Sequence, residues 1–175
     1  MSFLTYEFLQ EHNEQLLATR RINEMNSVNY SAKVNVFLSH KHDEPITLIN
    51  QVRNFFMSLN ADLYIDWLDK NMPQVTSEET ANRLKLKLKQ SDKFIVLATP
   101  KSISSIWIPW EIGLADQIKG LSNVAILPVV HKSDNWEQRE YYKIYSKIEQ
   151  ISGEWRVISP QYNYSGTNLL KWLNS

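Results

Sequence analysis

The sequence predicts an α/β fold, a mostly parallel sheet covered by helices on both faces, and three observations carry that prediction. Strongly apolar runs at Val34–Leu38, Phe94–Ala98 and Val124–Val130 are separated by longer stretches with helical spacing. The last two runs are continuously hydrophobic rather than alternating, the pattern of central strands buried on both faces. The order, strand then helix repeated along the chain, is that of crossover units that leave their strands parallel.

The elements follow in order. From about Leu4 to Asn26 the chain is polar and weakly amphipathic, with Phe8, Leu9, Leu16 and Leu17 near helical spacing. An accessory helix and a linker through Ser31 are expected there, so that residues 1–32 precede a domain spanning 33–175. The Val34–Leu38 run ends in the polar cluster Ser39-His40-Lys41-His42-Asp43, a buried strand delivering a loop. From Glu44 to Leu59 the stripe Leu48, Ile49, Val52, Phe55, Phe56 and Leu59 predicts a helix. Ala61–Ile65 reads as a second short strand, and the loop from Asp66 to Gln74 holds Pro73. Thr76-Ser77-Glu78-Glu79 reads as a capping box with Thr76 at the cap and Glu79 three residues on. That start outweighs the period-two alternation of Arg83–Lys89, which alone would predict a strand. Ala81, Leu84 and Leu88 share one helical face, and lysine is a good helix former. Trp107–Leu121 predicts a helix with Pro109 in its first turn. Farther on, Trp136–Ile148 reads as helical, Glu154–Ile158 as an edge strand and Asn168–Leu173 as a closing helix.

Bulk composition narrows the function. The 175 residues suit one domain with some accessory sequence. Nineteen basic residues balance nineteen acidic ones, so no net positive field gathers nucleic acid. Without cysteine, disulfides and thiolate chemistry are excluded, which fits a reducing compartment. The first twenty residues carry Glu7, Glu11, His12 and Glu14, unlike an export signal, and no run is long enough to cross a bilayer. A cytoplasmic protein is expected, with neither membrane nor nucleic-acid partner. His40 and His42 lack a third ligand at suitable spacing, so no metal site is expected. None of the four glycines follows the first strand, which leaves out the Gly-rich turn of a Rossmann fold and the P-loop.

Three segments in sequence order carry a family resemblance. They are Val36-Phe37-Leu38-Ser39-His40, then Tyr64-Ile65-Asp66-Trp67 leading through Met72-Pro73 to Thr76–Ala81, then Ser102–Glu111. Together they resemble the bacterial branch of the TIR (Toll/interleukin receptor) family over about Lys33 to Val130. The resemblance implies a flavodoxin-like, mostly parallel five-stranded sheet with helices on both faces. Trp107 and Glu111 match the family's Trp-x-x-x-Glu pattern, whose glutamate is catalytic in the TIR enzymes that cleave NAD+. The implied activity is an NAD+ nucleosidase, giving nicotinamide with ADP-ribose, a cyclic isomer or an ADP-ribose conjugate. NAD+ is then the substrate and no cofactor is needed. The resemblance also implies self-assembly through TIR contacts, with the loop opening at Asp66 and Trp67 near both the site and the assembly surface. In antiphage defence of the Thoeris-like kind, it further implies a separate effector protein that senses the product. Many TIR domains outside bacteria are instead non-catalytic adaptors that act by homotypic assembly, and that is the alternative reading.

The residues support the chemistry in their own right. Positions four apart share a helix face, so Trp107 and Glu111 would set an aromatic plane beside a carboxylate, a pair suited to nicotinamide riboside. Near a helix N-terminus the dipole favours the anion, so Glu111 is expected to be ionised at neutral pH. A carboxylate stabilises the positive charge that develops on ribose as the C–N bond breaks. Nicotinamide starts cationic and departs neutral, so the second carboxyl group of an O-glycosidase is unnecessary. Ser39, His40 and Lys41 leave the first strand at the carboxyl edge, where open α/β sheets place ligands, and could meet ribose or phosphates; a solvated loop is the alternative. Trp107 and Trp110 are candidates for the substrate stack or for the core. Asp66 is a candidate site residue or a buried turn aspartate.

Overall fold

Every residue of β4 (Lys93–Ala98) and β5 (Val124–Val130) is buried, the condition for parallel strands covered on both faces. These strands form the middle of the sheet in a computed structural model that describes residues 2–23, 34–69, 77–132, 136, 138–161 and 166–175. On one side β4 pairs with β2 (Val34–Ser39), and β2 with β3 (Ala61–Tyr64). On the other, β5 pairs with β6 (Ser146–Ile151). All of these pairs are parallel, so the order β3-β2-β4-β5-β6 supplies the five parallel strands of the expected fold. The antiparallel β7 (Glu154–Ile158) and the two-residue β8 (Thr167–Asn168) extend it.

Successive residues of a strand face opposite sides, and the strands divide their side chains between two cores. Ile95 and Leu97 join Val36 and Leu38 on one face, beneath α1 (Tyr6–Asn23), α2 (Ile46–Ser58) and α5 (Leu169–Leu173). Phe94, Val96 and Ala98 face the other way, against α3 (Glu78–Gln90) and α4 (Trp107–Lys119). The α2 stripe read from the sequence is the buried one, from Leu48 to Phe56. Among the described residues no helix is long and apolar enough to cross a membrane.

The N-terminal helix is present, and a strand that the sequence did not suggest precedes it. Leu4–Thr5 forms β1 and pairs in parallel with the end of β5, Leu4 opposite Val129. Leu4 and Leu9 are both fully buried in the first core. The expected linker through Ser31 lies outside the described residues.

Three local expectations need correcting. The capping box opens at Ser77 rather than Thr76, which lies outside the described residues. The Ser77 hydroxyl accepts from the Thr80 N–H at 3.3 Å, while the Ser77 N–H donates to the Thr80 hydroxyl at 3.3 Å. The stretch Trp136–Ile148 is not a helix: it holds a 3-10 turn at Glu140–Ile144 and then the start of β6. Its partners decide this, since β5 lies on one side of β6 and a two-residue hairpin returns β7 on the other. The hairpin residues Ser152 and Gly153 both have positive φ, 52° and 84°, as a type I′ turn requires. Finally, Glu154–Ile158 is not at the edge, because β8 pairs with it.

Candidate active site

The parallel strands point their carboxyl ends at one edge of the sheet. There β2 ends at Ser39, β3 leads to Asp66 and β4 to Thr99. From β2 the chain turns into α2 on the first face, whereas from β4 it leads to α4 on the second. The gap between β2 and β4 is therefore the topological switch point, where a crevice opens in sheets of this kind.

Glu111 projects into this gap. With Ile106 as the N-cap of α4, Trp107 is the first helical residue and Glu111 lies in the second turn. It is 5% exposed, and the Ser39 hydroxyl donates to its Oε2. Burial pushes its carboxyl up to about 7, a shift opposed by the Ser39 bond, reinforced by the Asp66 charge and opposed by His42. This corrects the expectation of a fully ionised group. The free N–H groups of a helix belong to its first turn, Glu111 stands one turn beyond them, and desolvation wins.

The loop after β2 forms one wall of an open cleft of about 330 Å3, and the turn from Ser104 to Trp107 forms the other. His42 stands on the first wall with its Nε2 2.6 Å from Asp66 Oδ2. That bond raises the affinity of the imidazole for a proton. His40 is nearly buried, its Nδ1 3.4 Å from the Leu38 carbonyl and 3.9 Å from Asp66 Oδ1, and burial pushes its pKa down. Two contacts tie the walls together. The Thr99 hydroxyl donates to the buried Glu44, and Lys101 Nζ donates to the Asp43 carbonyl at 3.2 Å. Asp69 anchors the far side, accepting two bonds from Arg83 and one from the Tyr64 hydroxyl at 2.9–3.0 Å. Among the described residues no group of three or more His, Cys, Asp or Glu side chains could hold a metal ion.

A sequence model of the TIR-like domain of the Thoeris protein ThsB matches residues 37–136, which include both walls and Glu111. The chain belongs to this TIR-like family. Among its relatives is a Bacillus cereus (strain MSX-D12) protein provisionally named 3' cyclic ADP-D-ribose synthase ThsB'. The two are 30% identical over 152 residues, 82% of this chain and 77% of that protein. A Cytobacillus dafuensis protein provisionally named cyclic ADP-D-ribose synthase TIR2 is 25% identical over 150 residues. That match covers 74% of this chain and 39% of the relative's length.

Within this TIR-like domain the residues singled out from the sequence are placed unequally. Ser39 meets Glu111 directly, and Trp107 lines the cleft while also packing on the second core. Lys41 turns its ammonium to Asp43, 2.9 Å away. Asp66 serves His42 rather than facing the cleft itself. Trp110 is 37% exposed and meets the Trp107 ring edge-on, with centroids 5.6 Å apart. Trp67 belongs to the 3-10 turn Asp66–Leu68, and its side chain lies outside the described residues. Sequence reading passed over His42, Glu44 and Thr99. The spacing of His42 from His40 suggests only a metal ligand, whereas an imidazole one strand away from an aspartate can also form a hydrogen-bonded pair.

Proposed function

We propose that this chain is an NAD+-cleaving enzyme that breaks the nicotinamide–ribose bond and closes the ADP-ribosyl group on itself, with Glu111 as its catalytic carboxylate. One observation carries the reading: a buried Glu111, held by Ser39, lies behind the walls of an open cleft at the switch point of the sheet, one helical turn from Trp107 and close enough to His42 to shift its titration. The two relatives named as cyclic ADP-D-ribose synthases support cyclisation over hydrolysis.

The chemistry follows from charge. As the C1′–N bond breaks, its electron pair goes to the pyridine nitrogen, nicotinamide leaves neutral and the ribosyl carbon becomes cationic. The Glu111 carboxylate, poorly solvated and therefore strongly interacting, stabilises that cation. Its pKa near 7 leaves a large fraction ionised at neutral pH, and the cationic nicotinamide of the substrate favours the anion further. The Trp107 ring, on the cleft wall one turn before Glu111, stacks on nicotinamide and excludes water after it departs. A hydroxyl of the same ADP-ribosyl group then attacks C1′ and loses its proton, giving a cyclic product.

NAD+ is consumed as substrate and no cofactor takes part. The product acts as a cytoplasmic signal in antiphage defence, read by a separate effector protein, and TIR contacts between copies help to form the active state. The test is to incubate the purified chain with NAD+, with and without a crowding agent, and to identify all products by mass spectrometry. Nicotinamide should appear together with a cyclic ADP-ribose. Glu111→Gln should lower its release by about a hundredfold or more, the scale of losing such an electrostatic stabiliser. Undiminished release by that variant would overturn the assignment.

A further inference from the structure

Capture of the ribosyl cation by a hydroxyl leaves one proton to be removed, and Glu111 is badly placed to do both jobs. It is buried, one of its oxygens accepts from Ser39, and its negative charge is needed opposite the cation. The other candidates on the cleft walls are mostly spoken for. Lys41 is cationic and paired with Asp43, and His40 is only 5% exposed.

His42 differs from both. Its side chain is 69% exposed, it lines the cleft opposite Trp107, and Asp66 fixes its ring through Nε2 at 2.6 Å. With Nε2 donating to Asp66, the neutral ring presents Nδ1 as an acceptor, and no described residue bonds that nitrogen. His42 and Glu111 lie close enough for each to shift the other's titration. A carboxylate behind one imidazole nitrogen and an open acceptor at the other is the arrangement of an oriented general base.

We propose that His42, oriented by Asp66, is the base that removes the proton from the hydroxyl that captures the ribosyl cation. This rests on the cleavage reading above and divides that reaction between two groups. At Glu111 the C1′–N bond breaks. At His42 the attacking oxygen forms its bond to C1′ with a lone pair, its O–H bond breaks, and the proton passes to Nδ1 and then to solvent. Asp66 is a positioning residue that holds the ring and offsets the imidazolium charge.

A nucleophile without a proton separates the two steps. Nicotinamide attacks C1′ through a pyridine nitrogen that has no hydrogen to lose, so incorporation of isotopically labelled nicotinamide into NAD+ needs Glu111 but no base. The glutamine amide keeps an N–H donor for Asp66 and the position is exposed, so His42→Gln should stay folded and melt within a few degrees of the wild-type temperature. In that variant, formation of cyclic and linear ADP-ribose should fall about a hundredfold, while label incorporation stays within about threefold of wild type. Glu111→Gln should lose both. Parallel loss of exchange and product formation in His42→Gln would overturn the proposal by reducing His42 to a structural role, and unchanged product formation would overturn it outright. Wild-type protein that neither exchanges nor releases nicotinamide would overturn the cleavage reading itself.

Discussion

At the scale of single residues, the raised pKa of Glu111 makes opposite demands on stability and on activity. An unfolded glutamate titrates near 4.5, while the folded one titrates near 7. The folded state therefore binds more protons between those values, and stability falls as pH rises through that window. A shift of this size costs about 3 kcal/mol once the group is fully ionised. Glu111→Gln keeps the shape and removes the charge. It should be more stable than wild type above pH 7, with the advantage gone near pH 4.5, as compared by denaturant midpoints at pH 8 and pH 4.5. The rate has the opposite dependence. With the carboxylate as the working form, the rate of nicotinamide exchange, which needs Glu111 but no base, should rise through about pH 7, dropping roughly tenfold for each unit below it. Trp107 is likewise double-edged, because it lines the cleft and packs on the second core. Trp107→Ala should lower stability by about 2 kcal/mol, less than for a fully buried ring. It should also shift the products from cyclic toward linear ADP-ribose. Melting and product ratio measured on one sample test both, and an unchanged ratio would confine Trp107 to packing.

At the scale of elements, what was legible in the sequence was what burial alone determines. The continuous apolar runs at β4 and β5 read directly as interior strands, the run at β2 is apolar but for Asn35, and α3 emerged despite its alternating lysines because Leu84 and Leu88 share a buried face. The failures lie where pairing overrides local pattern. Ser146–Ile151 is mostly polar and of mixed burial, and it becomes a strand because β5 and β7 flank it. Ser152-Gly153, a turn dipeptide, was the available signal for that hairpin. In the site, the Trp107–Glu111 spacing was readable because a helix fixes it. The Asp66–His42 bond joins loops 24 positions apart, and periodicity carries no information about such a pair. The desolvation of Glu111 was equally hidden, because burial depends on the tertiary packing of α4 against the sheet and not on local sequence. The N-terminal helix offers a direct test of how firmly an element is built in. Leu9 is fully buried in the first core, so Leu9→Ala should cost about 2–5 kcal/mol by chemical denaturation. A loss below 1 kcal/mol would mean that α1 is only loosely attached.

At the scale of the whole molecule, the cleft is open on one side, and its walls rest on a few contacts, chiefly Thr99 to Glu44 and Lys101 to the Asp43 carbonyl. An open site gains from a neighbour that closes it. If TIR contacts between copies supply that neighbour, specific activity should rise with protein concentration, and crowding should mimic the rise. Flat specific activity across a wide range, for a species shown monomeric by light scattering, would contradict this.

The pairing of Leu4 with Val129 also has a consequence in time. The two residues are separated by most of the chain, and a ribosome adding about 5–20 residues per second needs on the order of ten seconds to pass from one to the other. Throughout that interval the strand Leu4–Thr5 has no edge to join, and Leu9 has no β5 to complete the core around it. The segment made first must wait, apolar side outward, for one made much later, and it is in that interval of synthesis that the chain is most exposed to chaperones and to aggregation.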